Sequence, residues 1–198
     1  FYPFKPPAVP GYQTIIAKEK QPTGLDEAGY GARLSWLKDG WDVSGFYYTA
    51  NDASAAFSRQ TSLSTIIYQP IHKRIHQLGA TLGKDLGPMV LKAEAVYTRD
   101  KLFSTLDPLD ADGLVKQNFL DYIVGLEWSF PQETRFNVQL FQRVFSNHDA
   151  GIVPDRIESG ASLLLSTQAL HPRLEPELLL ISSLNRADWL AHWAAGQD

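Results

Sequence analysis

The chain has no cysteine and a single methionine. The missing thiol excludes a disulfide framework, a thiolate nucleophile and any cysteine-held zinc or iron–sulfur centre. It is consistent with an oxidising compartment, where free thiols are a liability. Charge of either sign is sparse. The 198 residues carry 18 Lys and Arg against 22 Asp and Glu, a net charge of −4, and no basic run. Nucleic acid is therefore not an expected partner, because such binding rests on clustered cations. No uncharged apolar run reaches the roughly 18 residues of a membrane-spanning helix. No signal-peptide pattern opens the chain. FYPFKPPAVP (1–10) reads as the middle of a loop, so the natural start is expected to lie upstream.

What the chain has in excess is aromatic side chains, 12% of its residues, set in a pattern of period two. Residues 1–27 carry Pro3, Pro6, Pro7, Pro10 and Pro22 and read as an external loop with a partial strand near Tyr12–Lys18. From residue 28 the texture changes. Ala28, Tyr30, Ala32, Leu34 and Trp36 alternate with Gly29, Gly31, Arg33 and Ser35, which predicts a strand. Asp39-Gly40 follows, the dipeptide that two-residue hairpin turns favour. Such a turn pairs Lys38 with Trp41. Trp36 then faces Val43, Leu34 faces Gly45, Ala32 faces Tyr47 and Tyr30 faces Thr49. This register sorts both strands into one apolar and one mixed, charged face, and a one-residue slip would scramble it.

Three more hairpins have the same form. Residues 75–83 and 89–98 flank 84–88, residues 119–130 and 136–145 flank 131–135, and residues 158–170 and 175–185 flank 171–174. Pairing Phe130 with Phe136 sets Trp128 against Val138 and Leu126 against Leu140, again on an apolar face. Pro70, Pro88, Pro108, Pro131, Pro154 and Pro172 are expected in connections, and Pro176 at the start of a strand. Residues 28–186 thus read as four antiparallel hairpins, and 187–198 as the start of a further strand or a short terminal segment.

Short links at 39–40, 84–88, 131–135 and 171–174 alternate with long ones near 50–72, 99–117 and 146–157. Outer-membrane barrels follow this rule, with short periplasmic turns and longer external loops. Trp36, Trp41, Trp128, Phe130 and Phe136 fall beside the short turns, and Tyr30, Tyr47 and Tyr97 near the long links. Two aromatic belts bounding an apolar face match the interface girdles of such barrels. The expected fold is all-β, an antiparallel transmembrane barrel of outer-membrane type, with about 8–10 strands in this chain. A soluble β-sandwich explains the alternation equally well, but not the link lengths, strand lengths and sorted aromatics together. If short turns are periplasmic, both ends of the eight-strand set lie outside. Either strands are missing on both sides, or 12–18 and 189–196 are strands as well.

The opposite face is the expected lumen wall, carrying Arg33, Asp42, Phe46, Tyr48, Lys92, Glu94, Asp121, Glu127 and Arg143, with Glu177 and the apolar Ile123 and Phe141. Mixed charge and aromatic footing on one wall points to passage of hydrophobic or amphipathic compounds. Glu94 with Glu127 or Asp121 is weighed as a carboxylate pair for acid–base work and set aside. His72 and His76 lie about 13 Å apart on a strand and make no metal pair. LGATLGKDLG (78–87) lacks the strand–loop–helix setting of a phosphate loop. No catalytic residue, metal or cofactor is expected.

The phrases YGARLSWLKDGWDVSGFYY (30–48), IHQLGATLGKDLGPMVLKAEAVYTRDKLF (75–103), DYIVGLEWSF (121–130) and NVQLFQR (137–143) carry a resemblance. Over roughly 25–186 the chain resembles a porin-like family of Gram-negative outer-membrane β-barrels known as a domain of unknown function. Members are often encoded near resistance-nodulation-division-type transporters and a partner outer-membrane lipoprotein. The resemblance implies a bacterial outer-membrane location, contact with outer-membrane lipid, and work alongside an envelope transporter and that lipoprotein. It transfers no substrate and no catalytic residue. AHWAAGQD (191–198) departs from the aromatic-ended closing strand of such barrels. The expected function is a non-enzymatic channel or transport component. The alternative is a structural or partner-binding barrel acting through its long external loops.

Overall fold

The computed structural model describes residues 6, 9–19, 24, 28–107, 109–131, 133–167, 174–186 and 188–197. Asp39 and Gly40 take φ of 52° and 73°, the left-handed pair that matches a two-residue turn to the twist of its strands. The turn joins β2 (Tyr30–Lys38) to β3 (Trp41–Asn51), and every pair runs in the expected register, from Lys38 opposite Trp41 to Tyr30 opposite Thr49. The main sheet continues with β6 (Arg74–Asp85), β7 (Met89–Ser104), β8 (Leu114–Phe130), β9 (Thr134–Phe145), β10 (Ile157–Ser166), β11 (Leu174–Ser183) and β12 (Trp189–Gln197). Each strand pairs antiparallel with the next, in the order β2-β3-β6-β7-β8-β9-β10-β11-β12. The protein is all-β with one large, open antiparallel sheet. Among the described residues β2 and β12 are its unpaired edges, and alternation makes them run in the same direction.

Several expectations change. The long link over 50–72 contains a hairpin of its own, β4 (Ala56–Ser62) and β5 (Thr65–Ile71). Its strands mix polar and apolar residues without clean alternation, and its turn has no glycine. The segment near Tyr12–Lys18 does hold a strand, β1 (Gln13–Ile16), but it lies parallel to β5 in a separate three-stranded sheet. Pro70 sits within β5 opposite Phe57, past the last β1 pair at Tyr68, so its missing N–H falls on an unpaired side. Residues 189–197 form a full strand against β11. Strands β7 and β8 run further than expected, past a bulge where Asp100 has φ of 64°. The link between β11 and β12 spans only 184–188, so the alternation of short and long links stops there. Phe130 pairs with Thr134 rather than Phe136, because Glu133, at φ 51°, closes a three-residue link over 131–133. The faces survive, since the slip is two residues and side chains repeat every two.

The apolar core is small and displaced to one end. Among the described residues the buried apolar side chains are Ala56, Ile66, Tyr68, Ile75, Phe119, Phe145 and Ile152. They gather where the long links lie. Phe103, Phe119 and Phe145 form a triangle of rings with centroids 5.4–5.9 Å apart, packed with Val115 and Ile152. Among the described residues no second sheet covers the apolar face of the main sheet, whose side chains stay exposed. Leu34 is 80% exposed, Leu78 62%, Leu140 60% and Trp36 53%. The chain exposes 13646 Å², against about 9,300 Å² for a compact monomer of its 22.1 kDa. A sandwich would have buried that difference between its layers.

Candidate functional site

The registers assign every site residue to a face. On one face, cross-strand rows are apolar. Trp36, Val43, Leu82, Ala93, Val124, Leu140 and Ala161 form one, and Leu91, Leu126, Val138, Leu163 and Leu180 form part of the next. Trp41 lies on this face with the Lys84 ammonium 4.8 Å from its ring centre, and Trp128 meets Phe136 at 5.6 Å. Phe130 follows at the short-link end. Tyr47 and Tyr97 share a row with Leu78 at the long-link end, where the Tyr47 hydroxyl is 2.8 Å from Nδ1 of His76. Some polar groups on this face pair with each other, as when Tyr122 donates to Gln142 and Gln142 to Ser159.

The opposite face collects Arg33, Asp42, Phe46, Tyr48, Lys92, Glu94, Asp121, Glu127 and Arg143. Its charges are organised. Arg143 stands directly opposite Asp121 and donates to both carboxylate oxygens, at 2.7 and 2.9 Å. Such bidentate bonds fix both partners. The same guanidinium lies 4.5 Å from the Phe119 ring centre. Lys92 reaches diagonally to Glu127 at 2.8 Å, and Arg186 to Glu158 at 3.1 Å. Asp121 is thus held by Arg143 and Glu127 by Lys92, whereas Glu94 pairs with neither of these cations.

The aromatic rings on this wall lie flat. A Cβ on Gly160 would overlap the ring of Phe141, and one on Gly79 would overlap that of Phe46. Each ring lies over the backbone of a glycine directly across the strand pair. The rings therefore pave the wall instead of projecting from it. Sequence reasoning places Phe46 and Phe141 inward but misses this, since the glycine partners become visible only through the register.

Two concavities mark the same face. One, of about 840 Å³, is bounded by residues from Glu94 on β7 to Leu190 on β12. The other, of about 520 Å³, includes Asp42, Thr81, Lys92 and Gln139, and shares Glu94 and Ile123 with the first. At the long-link end polar contacts surround the buried apolar cluster. Lys101 meets Asp52 at 2.5 Å, and His72 contacts the Asp52 carbonyl at 2.7 Å and Glu19 at 2.9 Å. His72 and His76 thus have separate partners. The short link expected at 171–174 lies, apart from Leu174, outside the described residues. Arg59 of β4 donates to the carbonyls of Asp107 and Asp110, holding the 105–113 link against the hairpin. Desolvation pushes the Asp110 carboxyl up. Hydrogen bonds from Gly113, Asp112 and Leu114 outweigh it and hold the group below its ordinary value. Among the described residues no three metal-ligating side chains gather. No protein-family model matches the chain, and no curated protein or solved structure matches it.

Proposed function

We propose that the chain forms part of an antiparallel β-barrel in the bacterial outer membrane. It acts as a non-enzymatic channel or transport component that passes hydrophobic or amphipathic small molecules. The observation that carries this reading is the two-faced sheet, apolar and uncovered on one side, ion-paired on the other. In water that arrangement is inverted, because a large apolar face would be buried. In lipid it is the stable one. Along β8 the apolar side runs from Leu120 to Phe130, about 34 Å of strand. Tilted by about 40°, that spans about 26 Å, close to the apolar band of an outer-membrane barrel. Lipid also offers no partner for the free edges of β2 and β12, so the sheet must close. These edges run the same way, and an all-antiparallel ring therefore takes an odd number of further strands between them. The family resemblance supports an envelope transporter and an outer-membrane lipoprotein as working partners.

The test is accessibility in reconstituted vesicles. Cysteines replacing Arg33, Lys92 and Glu94 react with a water-soluble maleimide, while those replacing Leu91 and Leu126 do not. Equal labelling of both sets overturns the membrane reading. Conductance across planar bilayers, with ion selectivity shifted by Arg143→Glu, supports a channel. The competing reading, a barrel that binds partners through its external loops, draws on Leu63 and Leu109, fully exposed leucines outside the main sheet. A folded barrel with neither conductance nor uptake would favour it.

A further inference from the structure

The larger cavity on the polar face combines two kinds of surface. Val96, Ile123, Phe141, Ile181 and Leu190 give it apolar walls, with the Phe141 ring laid flat over Gly160. Its charged groups are unbalanced. Four carboxylates, from Glu94, Asp121, Glu158 and Asp188, border it against two guanidinium groups, from Arg143 and Arg186. Both guanidinium groups are engaged, Arg143 with Asp121 and Arg186 with Glu158. Among the described residues, the carboxylates of Glu94 and Asp188 have no hydrogen bond or ion pair. The surplus is therefore negative and sits beside apolar wall. Glu94 also borders the second cavity, so it stands where the two meet.

We propose that this cavity binds amphipathic organic cations, with the flat apolar body on Phe141, Ile123 and Ile181 and the positive group at Glu94. The volume of about 840 Å³ is in the range that holds a drug-sized molecule. An anion of the same shape meets no free cation here, because both arginines are occupied. The proposal rests on the channel reading for its biological sense, since it names the class of compound that the channel passes. It does not rest on conductance for its test.

The experiment uses the protein in lipid nanodiscs with two fluorescent probes, ethidium as a flat cation and anilinonaphthalene sulfonate as an anion. Ethidium binds saturably, and Glu94→Gln weakens it about tenfold, as loss of one charge-assisted contact implies. Asp188→Asn weakens it less. Neither change weakens binding of the anion. Glu94 is exposed and unpartnered, so its amide variant keeps the fold, which heat-modifiable gel mobility checks. Equal binding of both probes, or an unchanged ethidium affinity in Glu94→Gln, overturns the proposal. Conductance without ethidium binding removes this inference and leaves the channel reading intact. Saturable, Glu94-dependent ethidium binding without conductance removes the channel and leaves the site.

Discussion

The body of the main sheet and its long-link end obey opposite rules. In the body, Leu34, Leu78 and Leu140 are exposed, while Asp121 and Arg143 are paired on the other face. At the long-link end, Phe119, Phe145 and Ile152 are buried together. The links around them are tied by backbone bonds, such as Leu106 N–H to the Gly151 carbonyl. One continuous pair of strands, β7 and β8, passes from the first regime to the second at the bulge near Asp100. On the membrane reading proposed above, the difference is one of solvent. The long-link end is built as a protein is built in water, with its apolar groups turned in. The body leaves its apolar side chains uncovered, which the proposed membrane reading explains by surroundings that are themselves apolar.

The largest effect that would test this contrast is at Phe145, 1% exposed. Phe145→Ala should cost about 3–5 kcal/mol locally, through lost contacts and a cavity. Protease should then cut the 105–113 and 146–156 links, while heat-modifiable mobility of the body persists. If the whole sheet unfolds together with these links, the two regions are one cooperative unit and the contrast is weaker than drawn.

Next comes the apolar face itself. Leu126→Arg should destabilise insertion by about 2–4 kcal/mol, read from urea titration of folding into vesicles. The same change in water-facing strand would cost far less. A tolerated arginine would mean that this face meets water or protein, not lipid. On the polar face, Gly160→Val should cost about 1–3 kcal/mol by overpacking and lift the Phe141 ring off the sheet. Single-channel conductance should fall, and Gly79→Val should act likewise through Phe46. Unchanged conductance in both would show that these rings do not border the path.

Much of the body was legible in the sequence, because alternation and turn chemistry carry it. Asp39-Gly40 pins a two-residue turn, so every pair of β2 and β3 could be named. The link at 131–133 carries no such signature, and reading it as five residues slips β9 by two. The faces were unaffected, but the ion pair was hidden. In the slipped register Arg143 stands opposite Ile123, and in the actual one opposite Asp121. The β4–β5 hairpin was not legible at all. Its burial comes from contact with distant parts of the chain, including Arg59 on the 105–113 link, and its own residues show no clean period.

The smallest expected effect separates the two regions by pH. Asp110 belongs to the long-link end, where its carboxylate accepts the N–H of Gly113 at 2.6 Å and of Asp112 at 3.2 Å. These bonds hold its titration below the ordinary Asp value despite desolvation acting the other way. A depressed folded value means that the carboxylate stabilises the link above the unfolded value. That contribution fades as pH falls through the folded one. The link over 105–113 should therefore loosen at acid pH, seen as a lower amide-exchange protection factor, relative to the intrinsic rate at the same pH, at Gly113 and Leu114. Asp110→Asn should show faster exchange already at neutral pH and little further change on acidification. Exchange in the middle of β8, around Val124, should not respond, because its bonds are to the backbones of β7 and β9. An acid response of equal size at Val124 and Gly113 would place the pH dependence in the sheet as a whole rather than in the Asp110 turn.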